Sequence, residues 1–120
     1  MDIAEEITAA AKEVFKELGP CQTELCYEEA LEVELMLRGF CNIRRQVPVS
    51  IFYKDHLVGV GYIDILLNDK YVIELKVLGN IRLTDEAQVR RYLVGDREGF
   101  IINFNPMRNT AEVEKVCLSQ

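Results

Sequence analysis

Asp64, Glu74 and Lys76 are the residues of this chain whose types and spacing could do chemistry. They stand in YIDILLNDKYVIELK, residues 62–76, two apolar runs that otherwise read as buried strands. Two acids and a lysine could hold a divalent cation and orient a water toward a phosphate. Hard carboxylate oxygens suit Mg²⁺ or Mn²⁺, and an ammonium offsets the charge that develops on the phosphate. The alternative is a solvated sheet face on which Lys76 bridges the acids as an ordinary ion pair.

Hairpin geometry bears on the choice. A three-residue loop, Asn68-Asp69-Lys70, suits a turn between two strands. It sets Leu67 opposite Tyr71 and Asp64 opposite Glu74, with Lys76 two residues on and on the same face. Directly opposed carboxylates repel, and a cation between them removes the conflict. Ile63, Ile65, Ile73 and Leu75 are then expected together on the opposite, apolar face.

The surrounding elements follow from pattern. Ile3, Ile7, Ala10 or Ala11, Val14 and Leu18 recur at helical steps over residues 3–17, and Gly19-Pro20 stops the run. Thr23 predicts the N-cap of a second helix ending at Gly39, with Tyr27, Leu31 and Leu35 toward the core. Strands are expected over 44–53, 58–67, 71–77 and 99–105, with an edge strand over 111–118. A helix over 83–93 is capped by Thr84 and stopped by Gly95. Gln88 and Tyr92 share one face of that helix, and Lys54-Asp55-His56 reads as a turn. The fold class is α+β, with helices packed on a mixed sheet, in a single domain spanning residues 1–120.

Composition excludes several other classes. His56 is the only histidine and no cysteines are paired as C-x-x-C, which argues against a zinc site or a histidine-based triad. Cys21, Cys26 and Cys117 are expected to be reduced and to serve packing. No apolar run is long enough for a membrane span and the start is acidic, so a soluble, intracellular, unsecreted protein is expected. The net charge of −6 opposes non-specific affinity for nucleic acid, but basic residues gather in the later two thirds. Arg44, Arg45, Arg90 and Arg91 are either solvated or the phosphate contacts of a bound strand.

The run Cys21 to Tyr27, then Glu28 to Leu31, Gly61-Tyr62-Ile63-Asp64, Glu74-Leu75-Lys76, Gln88-x-x-x-Tyr92-Leu93 and Ile102 to Asn105 resemble, in order and spacing, the PD-(D/E)xK nuclease superfamily and its small GxxExxY proteins. The resemblance covers about Ile3 to Asn105. It implies a restriction-endonuclease-like αβββαβ core with a metal ion, Mg²⁺ or Mn²⁺, at the bend of the central strands. It implies Asp64, Glu74 and the Leu75 carbonyl as ligands, Lys76 as the catalytic lysine, Glu24 as the helix glutamate, and Gln88 and Tyr92 as braces or strand contacts. Glu28, one turn beyond Glu24, is the alternative ligand; a glutamate at Glu24 is also favoured by the helix dipole alone. Tyr92 is alternatively a half-buried core aromatic. Three departures stand out: Cys21 replaces the first motif glycine, Ile63 the proline before the aspartate, and Asp85-Glu86 the usual histidine.

Two functions follow. One is a metal-dependent nuclease cutting DNA; the other is a nuclease fold serving as a non-catalytic binding or assembly module, as the acidic surface and small size would suit. Under either, a homodimer or higher homo-oligomer is consistent with the superfamily, with Phe40 and Met107 as exposed apolar residues for an interface.

Overall fold

The computed structural model describes residues 1–20 and 22–118. Its elements run α1 (Ile3–Leu18), α2 (Glu24–Leu37), β1 (Ile43–Tyr53), β2 (His56–Leu67), β3 (Tyr71–Lys76), α3 (Leu83–Arg91), β4 (Glu98–Asn105) and β5 (Thr110–Val116). The five strands form one sheet in the order β1-β2-β3-β4-β5, antiparallel except for the parallel pair β3–β4 that α3 connects. This is the expected α+β, restriction-endonuclease-like arrangement, with β5 on the far edge.

Local signals set the helix ends. At α1 the Asp2 carboxylate accepts from the Glu5 N–H at 2.8 Å and the Glu5 carboxylate from the Asp2 N–H at 3.2 Å, a reciprocal cap. Thr23 caps α2 as expected, its hydroxyl accepting from the Cys26 N–H at 3.1 Å. The cap of α3 is Arg82 rather than Thr84, because the Asp85 carboxylate accepts the Arg82 N–H at 2.8 Å. The helix ends before Tyr92, which is its C-cap.

Two cores flank the sheet. Ile7, Val14, Tyr27, Leu31 and Leu35 from α1 and α2 pack on Ile65, Ile73, Leu75, Ile102 and Phe104. Tyr27 stacks on Phe104 with centroids 4.1 Å apart and donates its hydroxyl to the Gly19 carbonyl, so it serves the core. On the opposite face Val89, Tyr92 and Leu93 cover Leu66, Val72 and Ile101.

Ile63 corrects the expectation that it joins Ile65, Ile73 and Leu75. It packs with Val47 in the second core, under α3. Strand pairing explains why. Arg45 opposes Ile65 and Val47 opposes Ile63, but the Gln46–Asp64 rung between them is not formed, and Gln46 has φ of 52°. A left-handed residue in a strand turns the following side chains over. The apolar face therefore changes sides at Asp64. From there outward β2 pairs with β1 alone, since its ladder to β3 covers only Ile65 to Leu67.

The β1–β2 turn is Lys54-Asp55, both with positive φ, the two-residue geometry that matches strand twist. His56 opens β2 instead of lying in the turn. Phe40 is partly buried against the first core, whereas Met107 is exposed. Cys26, Cys41 and Cys117 are free thiols, and Cys117 is exposed rather than packed; Cys21 lies outside the described residues. Among the described residues no helix is long and apolar enough to cross a membrane.

Candidate active site

The β2–β3 hairpin has the expected loop and register, Leu67 opposite Tyr71 and Ile65 opposite Ile73. One step further the ladder is replaced by side chains. The Asp64 N–H donates to the Glu74 carboxylate at 3.2 Å, and the Leu75 N–H to the Asp64 carboxylate at 2.9 Å. The two acids thus meet where the strands part. Glu74 is 3 % exposed. Burial pushes its carboxyl up to about 8, and the nearby Asp64 charge adds to the shift; the Asp64 N–H and Lys76 oppose it. Burial therefore disfavours the ionised form of Glu74.

Lys76 ends β3 and points toward α3. Its Nζ lies 3.1 Å from Gln88 Oε1 and 3.9 Å from Asp85 Oδ1. Asp85 is buried and gripped by the Arg82 guanidinium at 3.1 and 3.0 Å. Those bonds hold its carboxyl below the usual range against the burial that would raise it. The acids at Asp85-Glu86 consequently do not present bare charge: Glu86 pairs with Arg90 at 3.5 Å. Lys76, Arg82, Asp85, Gln88 and Arg91 line a concavity of about 420 Å³ beside the lysine.

Glu24 opens α2 as an exposed residue, and its carboxyl is raised by partial burial, with Lys76 lowering it and Asp64 and Glu28 raising it further. That mutual influence puts it at the rim of the site. Glu28 is committed elsewhere. It is buried, binds Arg45 Nε at 2.9 Å, and accepts from Gln46 Nε2 at 2.9 Å. Gln46 also donates to Asp64 at 3.3 Å, tying the strand to α2.

The other residues singled out in the sequence divide. Tyr92 is 2 % exposed and does not meet Lys76; its ring lies against Gly61, where a Cβ would fall 2.4 Å from the hydroxyl. Only glycine leaves room there. Arg45 is paired with Glu28, Glu29 and Glu32. Arg44 pairs with Asp69 and Arg90 with Glu86, while Arg91 is exposed and makes no ion pair with a described residue. Asn103 and Asn105, noticed only as part of a resemblance, are fully buried and hold the segment after Lys76. Asn103 pairs with both the N–H and the carbonyl of Leu78 at 2.9 Å, and Asn105 donates to the Gly79 carbonyl at 2.9 Å. Gln46 had no sequence signal, because its positive φ belongs to a residue type that rarely adopts one.

The model of the PD-(D/E)XK nuclease superfamily matches residues 1–116. The chain belongs to that superfamily. No curated protein and no solved structure matches it. For a PD-(D/E)XK domain the donor set is chemically apt for a hard divalent cation: the converging groups are carboxylate oxygens, with no thiol or imidazole among them. Among the described residues no three acidic, histidine or cysteine side chains already converge, so the arrangement offers two carboxylates with Glu24 at the rim.

Proposed function

We propose that the chain is a Mg²⁺- or Mn²⁺-dependent phosphodiesterase acting on DNA inside the cell, of the GxxExxY kind. The observation that carries the reading is the pair Asp64 and Glu74, joined through the Asp64 and Leu75 N–H groups where the strands part, beside a lysine held by Gln88. Asp64, Glu74 and the Leu75 carbonyl would hold the ion, with Glu24 as the further carboxylate. A bound divalent ion polarises the phosphate and acidifies a water. Lys76 positions the attacking water and offsets charge on the phosphate, while Gln88 and Asp85 hold its ammonium in place. Tyr92 supports the site from beneath Gly61 rather than touching substrate. Arg82 and Arg91, flanking the concavity, take the place that the sequence suggested for Arg45 as contacts to the DNA backbone.

Purified protein incubated with linear, nicked and branched DNA, with and without Mn²⁺, tests this beside Glu74→Ala. Cutting by the parent and not by the variant supports the reading; equal cutting by both overturns it.

The absence of a third converging carboxylate among the described residues favours a second reading, a nuclease fold that binds without cutting. Calorimetry with Mn²⁺ separates the two, since a chain that takes up no divalent ion cannot run the metal mechanism.

A further inference from the structure

Outward from Asp64, β1 and β2 leave the rest of the sheet and form a two-stranded arm, residues 47–62. Pro48 opposes Tyr62, Ser50 opposes Val60 and Phe52 opposes Leu57, with Val58 as the extra residue at the register shift. Alternation puts the paired side chains on one face, and the bulge at Val58 keeps Leu57 on the same face as Val60. That face is bare: Phe52 is 64 %, Leu57 59 %, Val58 60 %, Val60 46 % and Tyr62 52 % exposed. At the base of the arm the other face, with Val49 and Gly61, rests on the core under α3 and Tyr92.

We propose that the bare face is the interface between two copies of this chain. Charge selects the occupant. Within residues 47–62 the only charged side chains are Lys54 and Asp55, both in the turn, although the chain as a whole carries −6. A phosphate backbone would require basic side chains here. Two neutral faces meet across a two-fold axis without like-charge repulsion. The edge tells the same story. β1 is the outer strand of the sheet, and Pro48 deprives it of an N–H, a device that guards open edges against strand pairing. The face has no such guard, so the ribbons pack face to face, as stacked sheets do at about 10 Å.

The area is of the right order. Aromatic residues bury about 150–250 Å² each. With roughly half of each ring bare, Phe52 and Tyr62 alone contribute about 150–250 Å² per copy, and Leu57, Val58 and Val60 add to it toward the ~800 Å² per partner of a standard interface. Asp64 lies two residues from Tyr62, about 7 Å along the strand, so pairing brings the two candidate sites to either side of the axis. This inference goes beyond the proposed function and does not depend on cutting.

Sedimentation velocity of the full chain over a hundredfold dilution tests it, with Val60→Lys and the double variant Phe52→Ser, Val60→Lys run alongside. The expected result is twice the 13.8 kDa chain mass for the parent and the single mass for both variants, with their circular dichroism unchanged. Concentration-dependent hydrogen exchange of the parent supplies a readout needing no variant: amides of residues 48–62 slow as the dimer forms. A parent that stays monomeric overturns the proposal, as does a dimer that survives in a folded arm variant, or arm protection that appears only when single-stranded DNA is added.

Discussion

At one end of the candidate site Lys76 is met by Gln88 and Asp85, and Asp85 in turn by Arg82. At the other end Asp64 and Glu74 meet across two backbone N–H groups and Gln46. The basic end is electrostatically complete as it stands. The acidic end is not, and burial there pushes the Glu74 carboxyl up. A structural ion-pair network would have spread Lys76 across both acids. Here the lysine is turned toward α3, which leaves the acids available to a cation and the ammonium available to a phosphate. Under the proposed function, the difference separates the work of holding an ion from the work of assisting attack.

Substitutions can break that separation, beginning with the acidic end. Asp64→Ala removes both Mn²⁺ uptake in calorimetry and cutting, down to background. Lys76→Ala retains Mn²⁺ uptake but lowers kcat on the order of 10²–10³-fold, the loss typical of one transition-state donor. If Lys76→Ala instead abolishes ion binding, the two ends are one unit and the comparison fails. Asp85→Asn, which frees Arg82 and loosens Lys76, lowers kcat by roughly 10–100-fold, the usual scale for a residue that orients another, with Mn²⁺ uptake unchanged.

The raised Glu74 carboxyl makes ion binding and stability depend on pH. An ion displaces its proton, so Mn²⁺ affinity rises with pH by about tenfold per unit below the folded value near 8 and flattens above it. Isothermal titration in buffers of different ionisation heat counts the proton released. Stability of the ion-free protein has the opposite sign. Between the ordinary value of 4.5 and about 8 the folded chain binds more protons at Glu74 than the unfolded one, so its contribution to stability falls as pH rises through that window. Glu74→Gln should therefore raise the melting temperature by a few degrees above pH 8 and by little below 4.5, the smallest effect of the series. A variant that melts lower at high pH would show that Glu74 is well paired without a cation.

The acids and the lysine were legible in the sequence because hairpin pairing is arithmetic: a three-residue loop fixes which residues oppose one another. The apolar periodicity of α1 and α2 and the Thr23 cap were legible for the same reason, since each depends on neighbours within a few residues. The change of face at Asp64 was not legible. It depends on Gln46 adopting φ of 52°, and its carboxamide, bridging Glu28 and Asp64 that each lie 18 positions away, rewards that strain. The pairing of Arg45 with Glu28 was not legible either, because it forms only when α2 packs over β1 and brings together residues 17 positions apart. Tyr92 sits one residue beyond the helix that its spacing assigned it to, and its place was decided by the missing side chain of Gly61.

The change of face also makes the chain modular. Inboard of Asp64 the strands are locked on both sides by helices; outboard, two strands answer only to each other over most of their length. One residue added to each strand at the Lys54-Asp55 tip would lengthen the ribbon by about 3.3 Å and leave every rung of the core where it is. Reach can thus be redesigned while the geometry around Asp64, Glu74 and Lys76 stays intact.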